Sequence, residues 1–580
     1  MKRFFVVLLG VILAASLIVG CATGGRGGQA GIFRGAAVGF GGPVVVDVAV
    51  DRGNIQSIEV VSHNETYMFF ERPFERVISS VLNDGNLNVD VVTGATLSSM
   101  AIRAAITEAL TAANVNVNAM MHPRAAHTPQ NIQMTADVVV VGGGGAGLVA
   151  AARASQLGAS VIVVETLSML GGSTLLSGNN FNVTGTAQLA ALGIQDSPDL
   201  HFQQTLAAGD GVGRAPLVRV MADNTLETKN WLGDVVGVRW TSRINPPRGH
   251  SAYPARFGQG WIAALQNFAN RPNSNIEILL ETRATELIMQ GGRVTGARAT
   301  GRFGDQYTFT ARNGVILATG GFSANAEMLM RYDELWGGRL DASLLNSNFP
   351  SSQGDGIRMA QAIGANLIDM GYIQFLPGCP RNTLIVSLAG GASFMVNEQG
   401  RRFVAENARR DVVIQAMFEQ TNYRMFQIAD SRAIDRTVAD VWVENGFIHR
   451  ADTIAELADL IGINPAVLKE TIEEFDALLA AGVPCQFGRN FGVARAGAID
   501  PGAGPFYATP RVPIIHHTMG GVEIDTYTRV LNANGHVIPG LYAGGEVVGG
   551  VHGTNRLAGN AISEAFVFGK IAGESGALRR

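Results

Sequence analysis

Two stretches near the start of the chain have regular patterns of apolar positions. Between Val44 and Val50 a valine occupies every second position, and after the turn Asp51–Asn54 the alternation continues through Ile55–Val61. A period of two predicts a β-hairpin. Further along, Leu97–Leu110 has the spacing of a helix with one apolar face. A small α+β module is therefore expected at this end of the chain.

The middle of the chain has a different pattern. Asp137–Val141 is a continuous β-branched run, typical of a strand buried on both faces, and an alanine-rich helix follows it to Leu157. Val161–Val164 is a second run of this kind, and Gly314–Gly321 is another strand that leads into glycines. Strands that alternate with helices predict a doubly wound α/β domain.

The amino terminus has the pattern of an export signal. Met1–Arg3 is basic, and the apolar run Phe4–Val19 is shorter than the roughly 18 residues of a spanning helix. Ile18–Cys21 resembles a bacterial lipobox, which implies a lipid on Cys21 and a glycine-rich tether over Ala22–Gly31. The alternative is an ordinary cleaved signal, or an anchor in which the cysteine is incidental.

The amino-acid composition excludes several classes of protein and of redox centre. The 580 residues are 47% hydrophobic and 16% charged with a net charge of -4, which excludes a disordered chain and general nucleic-acid binding. Three cysteines, Cys21, Cys379 and Cys485, are too few for a disulfide scaffold or a cysteine-ligated iron–sulfur cluster. We therefore predict no metal site, and any electron transfer would depend on organic cofactors.

The first buried strand runs into a glycine-rich turn that predicts a dinucleotide site. Gly142, Gly144 and Gly147 lie between this strand and the helix, and Glu165 ends the next strand. Glycines allow the backbone to approach a pyrophosphate at the helix amino terminus, while the carboxylate accepts from a ribose hydroxyl. This fingerprint alone fits either NAD or FAD.

Further glycine-containing segments favour FAD. The elements with Gly172 and Ser173, and with Gly545 and Glu546, resemble the flavin-binding elements of two-domain flavoproteins. Gly321 would border the flavin at the end of a returning strand. Because no second dinucleotide fingerprint is present, we expect FAD, bound non-covalently, and do not expect NAD(P)H as the direct electron donor.

Asp90–Thr96 has the sequence DVVTGAT, in which a glycine follows one threonine and a second threonine ends the segment. It resembles the motif of the FMN-binding domain in sodium-pumping and related redox complexes. The resemblance implies that Thr96 carries FMN through a phosphoester, which an FMN transferase would install. The alternative is that Thr96 only caps the following helix.

Several segments in the second half are rich in groups that hold a carboxylate. They resemble the soluble fumarate reductase flavoproteins, a family that includes urocanate and other enoate reductases, and the segments are Pro513–Gly521, Gly549–Leu557 and Asn397–Phe403 with Arg410 and Asp411. The resemblance implies that Arg410 protonates one alkene carbon while FAD delivers hydride to the other. It also implies that His517 and Arg556 grip the substrate carboxylate, with His516 structural and His552 a packing or flavin-side residue.

The chain departs from the fumarate-reducing pattern at the other end of the substrate. Leu376 replaces a histidine, Ile385 replaces a threonine, and Val386 and Ala389 replace a glutamate and an arginine that relay protons. With Leu376, Ile385 and Thr518 in the substrate pocket, we predict an unsaturated monocarboxylate of the acrylate or cinnamate type. A slip in the alignment between Cys379 and Ala392 is the alternative. Three residues, Arg381, Glu406 and Arg409, are candidates for the missing relay.

Together these patterns predict an α/β fold: a two-domain, Rossmann-like FAD-binding flavoprotein with an inserted α+β clamp domain, preceded by a small α+β FMN-binding domain. The expected boundaries are 1–21 for the signal, 30–115 for the FMN domain, 116–133 for a linker, 134–370 and 519–580 for the FAD domain, and 371–518 for the clamp.

The predicted function is a membrane-anchored, extracytoplasmic reductase of C=C bonds in unsaturated carboxylic acids, as used in anaerobic respiration. Electrons would pass from a membrane-associated donor to FMN, then to FAD and the substrate. The alternatives are a fumarate or urocanate reductase, a ketosteroid-type dehydrogenase, and a flavin electron carrier without catalysis.

Overall fold

The computed structural model describes residues 29–39, 42–65, 70–92, 95–122, 127–255, 257–381, 388, 393–488, 499–500 and 502–580. The predicted signal with Cys21, and the positions Ile385, Val386 and Ala389, lie outside the described residues. The chain forms two compact units, Met1–Ala125 and Ala126–Arg580, and each is described by itself.

The first unit is a three-stranded antiparallel sheet with two helices. Its elements are β1 (Gly31–Val38), β2 (Pro43–Asp51), β3 (Asn54–His63), α1 (Glu71–Asp84) and α2 (Thr96–Ala112). The strand order is β1-β2-β3, which confirms the hairpin predicted from the valine alternation. The alternating valines of β2 face a core shared with α2, so the period of two reflects one buried face of the sheet.

The second unit contains the remaining regular elements. Its helices are α3 (Gly145–Gln156), α4 (Gly172–Leu175), α5 (Ala187–Ala191), α6 (Pro198–Ala208), α7 (Ala215–Trp231), α8 (Gln259–Ala269), α9 (Ala326–Arg331), α10 (Asp355–Ala362), α11 (Arg410–Phe418), α12 (Arg436–Glu444), α13 (Ile454–Leu460), α14 (Pro465–Ala481) and α15 (Asn560–Leu578). Its strands are β4 (Asn131–Val141), β5 (Val161–Val164), β6 (Phe181–Asn182), β7 (Trp240–Asn245), β8 (Gly249–Ala252), β9 (Ile276–Leu279), β10 (Thr282–Gln290), β11 (Arg293–Gly301), β12 (Gln306–Leu317), β13 (Leu345–Asn346), β14 (Leu367–Ile368), β15 (Ile373–Gly378), β16 (Ser393–Asn397), β17 (Met425–Ala429), β18 (His449–Ala451), β19 (Phe506–Thr518), β20 (Gly521–Val522), β21 (Arg529–Leu531) and β22 (Val537–Ala543).

The central sheet of the second unit has eight strands in the order β10-β11-β12-β4-β5-β9, with β22 paired to β12 and β21 paired to β22. The pairs of β4 with β5 and β12, of β5 with β9, and of β12 with β22 are parallel. The run predicted as a buried parallel strand over Asp137–Val141 is the end of β4, and the run Val161–Val164 is β5. The valines and the isoleucine of both runs are at most 3% exposed. This arrangement confirms the predicted α/β class.

A second sheet is formed mainly by the segment predicted as the clamp. Strand β19 pairs antiparallel with β15, β17 and β18, and β17 pairs with β16. The same strand carries His517 near its carboxyl end, and β15 carries Leu376. The sheet therefore brings residues that are far apart in sequence to one side of the second unit.

Regular structure occupies both ends of the segment predicted as the linker, residues 116–133. Val117–Met120 forms a 3₁₀-helix, Met120 packs against the core of the first unit, and β4 begins at Asn131. Among the described residues, no helix combines the length and the apolar character needed to cross a membrane.

Candidate active site

One large cavity of about 450 Å³ lies at the carboxyl ends of the central strands in the second unit. The glycine-rich turn and α4 line it, together with the segments around Thr319, Ser351 and Gly545. Its wall also includes five side chains from later segments, namely Leu376, Arg410, His516, His517 and Arg556. The cavity thus joins the predicted flavin elements to the predicted catalytic residues.

The three fingerprint glycines serve different purposes. Gly142 has a φ of +107°, and a Cβ there would collide with the Ala318 carbonyl. A Cβ on Gly147 would collide with the Gly142 carbonyl, so this glycine allows the helix to pack on the strand. By contrast, Gly144 has only one distant neighbour, at 3.9 Å, and its open side allows a ligand to approach the backbone.

Glu165 lies at the end of β5 and is 5% exposed. Its carboxylate accepts from the Gly143 N–H at 2.7 Å and from the Leu167 N–H at 2.7 Å. Burial raises its pKa despite these hydrogen bonds. The carboxylate therefore fixes the glycine-rich turn and still faces the cavity, as an acceptor for a ribose hydroxyl would.

Other predicted flavin contacts are distributed around the same cavity. Gly172, Ser173, Gly545 and Glu546 line it, whereas Gly321 packs behind the wall against Thr518 and Glu546. The N terminus of α3, the open backbone at Gly144 and the buried Glu165 carboxylate together fit an elongated nucleotide with a pyrophosphate. The residues present therefore suit FAD.

His517 is buried in the cavity wall. Its Nδ1 lies 3.3 Å from Oε2 of Glu546, while its Nε2 has no hydrogen-bond partner in the described part of the chain. Burial opposes ionisation of Glu546, but the charge and hydrogen bond of His517, with the N–H and hydroxyl of Thr518, lower the Glu546 pKa below its usual value. An anionic Glu546 holds a proton at Nδ1 and leaves Nε2 for a ligand.

Arg556 is a second buried group with spare donors. It is 5% exposed; Nη1 donates to the Leu557 carbonyl at 2.9 Å, and Nε has no partner among the described residues. Burial, assisted by the nearby positive charge of Arg410, lowers the pKa of Arg556 to about 9. Burial of a cation whose N–H group has no acceptor costs folding free energy, unless an anion accepts that hydrogen bond. The arrangement therefore favours a bound carboxylate.

Arg410 is the first residue of α11 and its side chain enters the cavity. Burial lowers its pKa. Its Nη1 donates to Oε1 of Gln374 at 3.3 Å, and among the described residues no carboxylate forms an ion pair with it. A guanidinium in this environment loses its proton more easily than one in water.

Gln374 links the two arginines, and sequence analysis gave it no role. Its amide nitrogen donates to Oδ1 of Asn555 at 2.8 Å and to the Arg556 carbonyl at 2.9 Å. Since both of these partners are acceptors, the amide oxygen must face Arg410. In the sequence, the one feature that could have drawn attention to Gln374 is its position two residues before Leu376. Its hydrogen-bond partners could not be predicted, because they lie about 180 residues further along the chain.

His516 was expected to be structural, but the structure places it in the cavity wall. Its Nδ1 lies 2.8 Å from the Ser347 hydroxyl, which itself donates to the Ile515 carbonyl at 3.3 Å. Burial first, and then the charges of Arg556 and Arg410, lower the pKa of His516 well below its usual value. It is therefore a neutral imidazole beside two cations.

His552 lies behind His517, with 5.4 Å between the ring centroids. Its Nε2 is 2.9 Å from Oε2 of Glu564, and both side chains are buried. Potential ligand atoms of His517, His552 and Glu564 lie within 4.8 Å of one another, but Glu564 is already engaged by His552. His552 is absent from the lining of the cavity and packs against His517.

The predicted substrate-pocket residues differ in their placement. Leu376 lines the cavity, while Ile385 lies outside the described residues. Thr518 is fully buried behind the wall, where its hydroxyl donates to Oε1 of Glu546 at 3.1 Å and accepts from the Phe322 N–H at 3.3 Å. Its expected contact with substrate is therefore replaced by support of Glu546.

Two of the three relay candidates are held in ion pairs, and the third lies outside the catalytic cavity. Arg409 pairs with Asp210 at 2.6 Å and with Asp411 at 2.6 Å, which raises its pKa. Glu406 pairs with Arg402 at 2.7 Å. Arg381 is exposed and lines a separate pocket.

Thr96 in the first unit is exposed and begins α2. The N-cap position belongs to Ala95, so Thr96 is not the capping residue. Ser99 holds the preceding loop, since its hydroxyl accepts from the Val92 N–H at 3.0 Å and donates to the Ala95 carbonyl at 2.9 Å. An exposed hydroxyl on a fixed helix end suits a phosphoester to FMN, while Thr93 and Gly94 lie outside the described residues.

Two family models match the chain. Residues 137–562 match the FAD binding domain, and residues 39–111 match the FMN-binding domain. These spans contain the two sets of residues just described, one around the cavity and one around Thr96.

Curated relatives cover most of the chain. It is 34% identical to a urocanate reductase of Eggerthella lenta over 97% of this chain and 94% of that protein. It is 32% identical to an NADH:acrylate oxidoreductase of Vibrio harveyi over 93% of this chain, but spans only 60% of that longer protein. Among solved structures, the open conformation of a flavocytochrome c3 fumarate reductase is 29% identical, with a TM-score of 0.66 over 80% of this chain and 84% of that one.

Proposed function

From the premise that the chain belongs to the FAD binding domain family and is an oxidoreductase of CH–CH groups in unsaturated acids, we propose that its substrate is a monocarboxylate with an apolar β-substituent. The observation that carries the proposal is that Leu376 shares one cavity with Arg410, His517 and Arg556. One end of such a substrate is held by charge, and the other end meets an apolar side chain.

The carboxylate would lie at the spare donors. Nε2 of His517 and Nε of Arg556 are buried without partners in the described residues, and a carboxylate oxygen would satisfy either of them. As electrons flow towards the carboxylate in the transition state, both contacts become stronger, so they contribute to rate as well as to binding.

A second carboxylate would be poorly accommodated beside Leu376. Burial of a charged group against an apolar side chain without a partner costs several kcal/mol, about a thousandfold or more in affinity. Acrylate-type and aryl-acrylate-type acids avoid this cost because their other end carries no charge. The proposal therefore places fumarate among the poor substrates.

Bound FAD would supply hydride to one carbon of the double bond. Arg410 would donate a proton from its guanidinium to the other carbon, so that the C=C bond gains two hydrogens and becomes a C–C bond. Burial has already lowered the pKa of Arg410, and its acceptor Gln374 is neutral, which leaves the proton available.

The route of electrons to this site is part of the proposal. Thr96 would carry FMN covalently after modification by an FMN transferase, and FMN would pass electrons from a membrane-associated donor to FAD. The chain would lie on the extracytoplasmic face, held by a lipid on Cys21. Mass spectrometry of the membrane-derived protein tests the anchor, because an unmodified Cys21 would exclude it.

Urocanate is a second candidate substrate, because the urocanate reductase relative is 34% identical over nearly the whole chain. It is also a monocarboxylate, but its β-substituent is an imidazole. Asn348 and Ser347 line the cavity near His516 and offer polar contacts that a phenyl ring would not need. The ratio of urocanate to cinnamate turnover therefore distinguishes the two candidates.

If the protein were a ketosteroid-type dehydrogenase or an electron carrier, its substrate would offer no carboxylate for Arg410 and Arg556 in the cavity to bind. The deciding experiment uses protein carrying both flavins and follows oxidation of a reduced viologen by fumarate, urocanate, acrylate, methacrylate and cinnamates. Preference for an alkyl or aryl monocarboxylate supports the proposal. Preference for fumarate contradicts it, and no turnover with any acid would favour the dehydrogenase or the carrier.

A further inference from the structure

A second pocket, of about 490 Å³, lies in the segment predicted as the clamp. The chain enters it at Pro380 and Arg381 directly after β15, and leaves it along β18 and the end of α13. Pro510 of β19 forms part of its wall. None of the residues assigned above to substrate or flavin lines this pocket.

The inner wall of the second pocket is apolar. Phe426 is 4% exposed and Ile448 is 3% exposed, while Leu460 at the rim is 54% exposed. Apolar surface that opens to solvent through an exposed leucine favours a ligand with a hydrocarbon part.

Positive charge surrounds the same pocket. Arg381, Arg424 and Arg450 line it together with His449. Burial lowers the pKa of His449, and the charges of Arg381 and Arg424 lower it further. Arg381, Arg424 and His449 therefore contribute basic groups to one and the same pocket.

Acidic side chains offset this charge only in part. Arg424 lies 3.4 Å from Glu398, and Arg450 lies 2.5 Å from Asp440, both as partly exposed pairs. Arg381 forms no ion pair with a carboxylate of the described residues, and it is directed towards the backbone turn at Gly446. At least one guanidinium is thus available for an anion.

We propose that this pocket is an accessory binding site for an organic anion, a carboxylate attached to an apolar body, separate from the catalytic cavity. Arg381 and Arg424 would hold the carboxylate, while Phe426, Ile448 and Leu460 would contact the apolar part. The apolar contact distinguishes this ligand from inorganic phosphate, and the guanidinium contacts distinguish it from a neutral alcohol.

Calorimetric titration of the full chain, carrying both flavins, with 3-phenylpropanoate tests the site. We expect two binding events in the unaltered protein. In the double variant Arg381→Gln with Arg424→Gln, one event should weaken at least tenfold, while turnover of the enoate panel stays unchanged. The control is Arg401→Gln, which removes an exposed arginine of the same segment that pairs with Glu470 and should leave both events intact.

The two sites are separated by Arg556→Met, which should remove only the event at the catalytic cavity. The inference is overturned if the double variant binds as the unaltered protein does, or if Arg556→Met removes all binding. Equal affinity for 3-phenylpropan-1-ol would show that no anion is selected, and equal affinity for phosphate would show that no apolar body is needed. Each of these two affinity results would also contradict the proposed organic-anion site. The event that weakens in the double variant is measured directly as binding, so it is read independently of whether the reductase proposal holds.

Discussion

The side-chain oxygen of Gln374 accepts a hydrogen bond from Nη1 of Arg410 at 3.3 Å. The Asn555 side chain and the Arg556 carbonyl fix the direction of the Gln374 amide. Gln374 therefore positions the guanidinium without adding negative charge beside it. A carboxylate in the same place would raise the Arg410 pKa and oppose loss of its proton.

Gln374→Glu should slow turnover because a carboxylate beside Arg410 raises its pKa by about 1–3 units. We expect kcat to fall roughly tenfold to a thousandfold, with the alkaline limb of the pH profile displaced to higher pH. Steady-state rates from pH 6 to 10 test this. Gln374→Met, which positions Arg410 poorly but adds no charge, is the control. It should lower kcat without moving the limb, and equal displacement in both variants would contradict the electrostatic explanation.

Arg410→Ala should abolish turnover while both flavins remain bound, because it removes the proposed proton donor. A general acid contributes about 10²–10⁴-fold, so the viologen assay should show a loss of at least a hundredfold. Arg401→Ala, at an exposed position of the same segment, is the control. Unchanged activity in Arg410→Ala would remove this residue from the mechanism.

The pH dependence of kcat/KM should report Arg556. Burial and the charge of Arg410 lower its pKa to about 9, so the free enzyme binds a carboxylate well below pH 9 and loses this contact as pH rises through that value. We expect kcat/KM to fall above about pH 9, by up to tenfold per pH unit. In Arg556→Gln the value should be low throughout and this limb should be absent. Persistence of the limb in that variant would assign it to another group.

Leu376→His should shift specificity towards fumarate, because an imidazole there could donate to a second carboxylate. We expect the ratio of fumarate to cinnamate kcat/KM to rise by about 10–100-fold, as one charge-assisted hydrogen bond would allow. Leu376→Met keeps the volume and polarity of the wall and should leave the ratio near its original value. An equal ratio in all three proteins would mean that Leu376 does not contact the substrate.

Thr96→Ala should remove flavin fluorescence from the denatured polypeptide in a gel, since the phosphoester would have no attachment point. The matched control is Thr111→Ala, an exposed threonine on the same helix whose hydroxyl bonds only to the Thr107 carbonyl. It should keep the fluorescent band. A band that persists in Thr96→Ala would show that flavin is attached at another residue.

Most strands and helices discussed above could be predicted from local patterns of apolar residues. The valines of β2 and the β-branched runs of β4 and β5 report burial directly, because the period of side chains depends on the element in which they lie. The dinucleotide site at the fingerprint glycines and Glu165 could also be predicted, since a tight turn at a strand end accepts few residue types. The four residues Val117–Met120, which form a 3₁₀-helix, were not predicted, because a single short turn is too short to show a period.

The sequence by itself indicated the kind of chemistry: a dinucleotide-binding turn, an FMN-binding domain, and a set of basic side chains that includes Arg410, His517 and Arg556. Only the tertiary structure decided that His516 faces the cavity, that Thr518 supports Glu546 from behind, and that Gln374 connects the two arginines. The physical reason is that these roles depend on which side chains meet across sheets and helices. Neighbours in the chain, such as His516 to Thr518 on β19, face different surroundings once the strand is packed.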